Sequence, residues 1–326
     1  MIAMNGCNSE SNNSLSHSSP IEYNWVIPKG NVTGNFNLFP LAENPKFTKV
    51  SEVNFLSGNA LVAIISFKNE IRVYPYKYIK PYESINDIID GKNIAMTYCP
   101  ITKSALCWNT NFKLDTFTLR ASGYLLNDNV VLYDKNSDTY WSQMLSTSIK
   151  GKYAEQNNTN FNFIETKWEL VKNHFNDALV FTNNSISNSK ESDSKITSMK
   201  IEDNESVYGI LDKKAKSTTK VHIFKYEDFE NDIKIYQSRI GIDNILIVGS
   251  KNQHFITSYI NDQNSIFSPV QNSFPVVMED TDQNQWNIFG IAISGPRKGQ
   301  QLKSPTGFVA LWWAWNGFYD DFEFYK

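Results

Sequence analysis

The sequence predicts a mainly β protein, β-rich α+β in class, made of two duplicated antiparallel β halves with a few short helices. Three observations predict it. Aromatic residues make up 14% of the chain, with 16 Tyr and 8 Trp, and such side chains favour pleated, half-buried surfaces. Short apolar runs recur with turn chemistry between them about every 8–12 residues, the rhythm of antiparallel sandwiches and barrels. A set of motifs in residues 36–181 also returns after residue 206 at an offset of about 145 residues, as a duplication would leave it.

Residues 1–35 are predicted to form a disordered tether. Residues 8–19 are rich in Ser and Asn and too poor in apolar residues to pack. Gly6-Cys7 follows a short apolar start, a pattern similar to the end of a bacterial lipoprotein signal with Cys7 as the lipidated residue. The basic segment and most of the apolar segment of such a signal are missing, so the natural start is expected upstream. A stray Cys in a floppy tail is the alternative. The anchor reading predicts an extracytoplasmic protein, in the periplasm or at the cell surface, that meets the membrane through its lipid only.

The first half, residues 36–181, begins with a loop carrying Pro40 and Pro45. The run Ala60 to Phe67, the turn at Lys68-Asn69-Glu70 and the run Ile71 to Pro75 predict a hairpin. Tyr82 to Ile89 and Asn93 to Tyr98 predict a second hairpin about Asp90-Gly91-Lys92. Strand signals follow at Ala105 to Trp108, Phe117 to Leu119, Val130 to Tyr133 and Thr139 to Trp141. Thr166, with Glu169 three residues on, predicts the cap of the first clear helix, running to Phe175. Residues 182–206 are a polar linker.

The second half, residues 207–326, repeats the layout. Residues 220–226 match 72–78, residues 276–286 match 130–141, and Trp312 with residues 318–321 matches Trp168 with 174–177. At the place of Cys99 the second half has Gly249-Ser250-Lys251-Asn252 and no thiol. The aromatic run from Leu311 to Tyr319 invites a sugar-binding or membrane-interface reading, but its helical spacing predicts a helix pinned to the sheet.

Composition bounds the function. A net charge of −3 argues against a general nucleic-acid binder, which needs a basic face. Three Cys cannot pair completely, so at least one thiol is free or modified, although a Cys99–Cys107 disulfide stays open. Four His without HExxH or CxxC spacing leave no locally written zinc site.

The candidate site centres on Thr97-Tyr98-Cys99-Pro100. Cys99 reads either as a nucleophile or soft ligand, its pKa lowered by Lys103, or as a buried small hydrophobe. Glu83 and Asp87 fall on one face if the strand is regular, where they can serve as acid/base or ligand carboxylates; the alternative places Asn86-Asp87 in a turn. Ser122, Asn127 and Gln143 are the remaining ligand-binding candidates. Gly123 marks either a bulge or a close approach of backbone to ligand. Trp141 recurs as Trp286 and reads as core, whereas Gln143 has Ile288 opposite it. His222 and His254 read as structural.

These residues carry a resemblance. Tyr82-Glu83-Ser84-Ile85-Asn86-Asp87, Thr97-Tyr98-Cys99-Pro100, Ala121 through Asp128, Tyr133-Asp134, Trp141-Ser142-Gln143 and Thr166-Lys167-Trp168 resemble, in order and spacing, the bacterial family catalogued as domain of unknown function 3179. The resemblance covers roughly residues 40–182, more weakly the rest. It implies a site, not a reaction. The family shows His-Glu where this chain has Tyr82-Glu83, and Cys-Pro-x-Cys-Gly where it has Cys99-Pro100-Ile101-Thr102-Lys103. The family's thiol pair implies redox work or a soft metal. Losing the second sulfur excludes a dithiol cycle at that motif and leaves any metal at Cys99 weakly held. The expectation is therefore a small-molecule or ion binder with Glu83, Asn86, Asp87, Cys99, Ser122, Asn127 and Gln143 in one cleft. The alternative is a thiol-dependent enzyme or redox protein with Cys99 as catalytic centre and Glu83 as base; a purely structural surface protein is the third reading.

Overall fold

A computed structural model describes residues 23–42, 44–68, 70–182, 204–213 and 219–325. Cys7, the Ser/Asn-rich stretch and nearly all of the 182–206 linker lie outside the described residues. Within them the chain is β-rich: several mostly antiparallel sheets and three short α-helices, α1 (Tyr76–Ile79), α2 (Trp168–His174) and α3 (Trp312–Phe318).

One layout occurs twice. In the first half, Leu61–Phe67 and Glu70–Pro75 form a hairpin, Ile164–Lys167 pairs antiparallel on one side, and Leu179–Phe181 returns after α2 to pair parallel on the other. In the second half, Ser206–Lys213 and Thr219–Lys225 form the hairpin, Gly307–Leu311 flanks it, and Asp321–Phe324 returns parallel after α3. Each hairpin runs into a meander: Ser84–Ile89, Lys92–Cys99 and Ser104–Asn109 in one half, and Lys234–Ile240, Asp243–Ser250 and Phe255–Ile260 in the other. The entry to each long helix is held by the same bond, Trp168 N–H to Ala60 O and Trp312 N–H to Glu205 O, both 2.8 Å.

The halves share their cores. One apolar cluster joins Ile65, Met96 and Trp141 to Val207, Ile223, Phe308 and Trp315. A second joins Val62, Ile164 and Trp168 to Leu246, Phe255 and Trp286. The docking is reciprocal: the Leu311 amide donates to Thr102 O at 2.9 Å, and the Thr166 hydroxyl donates to Gln253 O at 2.8 Å.

Three expectations are corrected, and the open question of a disulfide is resolved. Ordered packing begins well before residue 36: Val26 N–H bonds Ile149 O, Val32–Gly34 pairs with the strand Leu119–Leu126, and Trp25 packs on Tyr124 and Tyr140. Thr166 does not cap a helix, because pairing with Leu61–Phe67 holds it in a strand; α2 starts at Trp168 without a side-chain cap. α1 comes earlier than the first expected helix. Cys99 and Cys107 do not bridge; both are free, and their register partners are Ser104 and Met96.

α3 pins to its sheet through Trp315, which is fully buried over Gly209 in the strand Ser206–Lys213. A Cβ at Gly209 would stand 2.5 Å from the indole. Gly209→Ala is therefore expected to destabilise the protein by about 1–3 kcal/mol through overpacking, read by urea denaturation. An unchanged midpoint contradicts this packing.

Candidate functional site

α1 is a single turn whose last carbonyl, Ile79 O, accepts the amides of both Tyr82 and Glu83. This turn forces Glu83 into left-handed backbone, φ +55, just before the strand Ser84–Ile89 begins. A non-glycine residue held there stores about 1 kcal/mol of strain or more. Glu83 therefore does not share the strand face expected with Asp87. The hairpin register, Ser84 opposite Thr97, brings it instead beside the end of the partner strand, where Cys99 sits.

Glu83 is 8% exposed, and burial raises its carboxyl to about pH 7. Among the described residues no hydrogen bond or ion pair reaches that carboxyl. Cys99 is fully buried; its Sγ lies 3.8 Å from Asp128 O and takes the amides of Thr102 and Val130. Burial raises the thiol, those contacts with Thr102 and Val130 oppose the rise, and Glu83 adds to it. Cys99 is thus a protonated thiol at neutral pH, not an activated nucleophile. The expected help from Lys103 is absent: its charge acts on Glu165 instead.

Behind Cys99 lies a dry polar network. Thr102, where the family shows its second Cys, exchanges a hydrogen bond with Ser104 at 2.8 Å. Ser104 donates to Gln143 Oε1 at 2.7 Å, and Asn129 Nδ2 reaches Thr102, Ser104 and Gln143 at 2.9–3.0 Å. Gln143 Nε2 and Trp108 Nε1 both donate to Thr97 Oγ1, at 2.9 and 3.0 Å. Every member is buried and partnered, so the network fixes the Cys99 strand against the neighbouring sheet. Gln143 belongs to it and is not open to a ligand.

The other four candidates are scattered. Asn86 clamps Leu119 by both amide atoms, at 2.9 Å each. Asp87 takes Tyr74 OH at 2.7 Å and Arg72 Nε at 3.3 Å, an ion pair on the adjoining sheet. Ser122 donates to Val131 O at a β-bulge. Gly123, at φ +83, admits the chain's own Asn35 and Asn37 backbone. Asn127 donates to Gly317 O of α3 at 2.8 Å. The expected single cleft does not form: the Glu83 charge acts on Cys99, and the rest hold the scaffold.

A second buried carboxyl, Glu165, lies at the seam between halves, in the strand Ile164-Glu165-Thr166-Lys167, whose sequence gives no signal of it. Glu165, 5% exposed, accepts Tyr76 OH at 2.6 Å. Burial raises it to about pH 7, against the pull of Tyr76 and Lys103. Tyr76 stacks on Tyr98, with centroids 4.2 Å apart, and Tyr226 of the second half stacks on His254 at 4.3 Å. Burial holds His254 neutral, down at about pH 4. Among the described residues no group of three or more His, Cys, Asp or Glu is arranged to hold a metal ion.

Both carboxyls rise from 4.5 to about 7 on folding, so the folded state binds their protons more tightly. Their stabilising effect is full below about pH 4.5 and is lost as pH climbs through 7, by about 3 kcal/mol each at most. Glu83→Gln and Glu165→Gln should raise stability at pH 8 relative to the parent and leave it nearly unchanged at pH 5, measured by urea denaturation. Equal effects at both pH values contradict the assignment.

No curated protein and no solved structure matches the chain. The family described as "Protein of unknown function (DUF3179)" matches residues 37–322, which takes in both halves. On that match, covering nearly the whole chain, the protein belongs to the DUF3179 family.

Proposed function

We propose that the protein binds a small ligand or ion at Glu83, with the neutral Cys99 thiol and the Thr102 turn as the floor of the site. One observation carries this reading: a desolvated carboxyl with no partner among the described residues, held on strained backbone. Such a group is costly to keep unless something pairs with it. Its natural complement is a hydrogen-bond donor, best a small cation such as an ammonium group. The raised Cys99 pKa favours binding over a thiol-dependent reaction.

The twice-used strand layout supports an origin by duplication, with the second half as a scaffold lacking the thiol and the acid: Lys234 and Ser250 stand at the places of Glu83 and Cys99. The Gly6-Cys7 pattern and the Ser/Asn-rich stretch after it support a lipid-anchored, extracytoplasmic protein. Among the described residues no helix is long and apolar enough to cross a membrane.

Two measurements test the reading. Ammonium and methylammonium chloride should raise the thermal midpoint of the parent at pH 8 above that in equal sodium chloride, and should not do so for Glu83→Gln; equal responses rule out Glu83 as the binding group. Mass spectrometry of the native membrane fraction should find Cys7 acylated, and an unmodified Cys7 removes the anchor.

A further inference from the structure

In the aromatic run at the C-terminus, Trp312 packs on the core with part of its indole and leaves the rest open. Trp312 opens the helix and lines a hollow of about 300 Å³ with Val207, Phe324, Glu205 and Lys225. Phe322 and Phe324 meet its indole at steep angles, with centroids 4.9 and 5.1 Å away, and Phe324 is 51% exposed. Glu205 and Lys225 form an ion pair of 2.8 Å on the same hollow, each partly open to water.

The two halves make a natural control. Trp168 stands at the matching start of α2, with the same backbone bond, yet it is 1% exposed. Ala60 there takes the place of Glu205, and Pro75 that of Lys225. Where the first half buries its tryptophan among apolar residues, the second half adds an acid and a base beside it and leaves a hollow.

We propose that this hollow is a carbohydrate site taking a single neutral pyranose ring. The apolar C–H face of the sugar lies on the aromatic wall, where large rings supply contact area at small entropic cost. Two adjacent hydroxyls accept from the Lys225 ammonium and donate to the Glu205 carboxylate without separating the pair. The two charges cancel, which selects a neutral polyhydroxyl ligand over an anion or a cation. The volume is at the lower end for small-molecule sites and fits one ring. A ligand of that size binds in the millimolar range.

Saturation-transfer-difference NMR on the full chain with methyl glucoside, galactoside and mannoside tests this. At least one glycoside should receive saturation at its ring C–H protons. Trp312→Ala should reduce that signal at least fivefold, and so should the Glu205→Ala/Lys225→Ala pair, which leaves the tryptophan and the fold in place. Absence of signal for all three glycosides overturns the proposal. So does a signal that survives the Glu205/Lys225 double substitution, or competition by a free amino acid instead of a second sugar.

Discussion

Two of this protein's apolar clusters are built by both halves together. Leu311 bonds Thr102 and Thr166 bonds Gln253 across the join, and residues of both halves are buried against each other there. That mutual burial is the constraint on which the rest depends. It places Glu165 and Tyr226 out of water at the seam. It also holds the Asn127 turn against α3, one residue from the Asp128 carbonyl that faces Cys99. The Cys99 region of the first half thus lies against residues of the second.

The fold class was legible because its signals are local or repeat. Hairpins at Asp90-Gly91-Lys92 and at Lys68 to Glu70 follow from turn chemistry between apolar runs. The proximity of Glu83 and Cys99 follows from the first of these registers. The errors came where distant partners decide. Thr166 looks like a cap until the strand Leu61–Phe67 claims it. Asp87 looks like a site acid until Arg72 and Tyr74 arrive from the neighbouring sheet. Gln143 looks free because its partners, Thr97, Ser104 and Asn129, are spread over three strands. Glu165 carries no pattern at all; only tertiary packing makes one strand acid desolvated.

The departures from the family motif gain a physical meaning. Thr102 does not merely lack a sulfur. Its hydroxyl joins Ser104 and Asn129 in a closed network, so the turn keeps its shape without a second thiol or a metal. The lone Cys99 is then a neutral wall, and the Glu83 carboxyl is a charge that acts on it.

The account therefore turns on a mostly buried Glu83 carboxyl with no partner among the described residues. Carbon-13 NMR of the glutamate side-chain carboxyls, assigned with Glu83→Gln, measures this directly. The account predicts that Glu83 titrates near pH 7 in the ligand-free protein. A midpoint at the ordinary value of about 4.3 would mean a solvated or partnered carboxyl, and would contradict the proposed site.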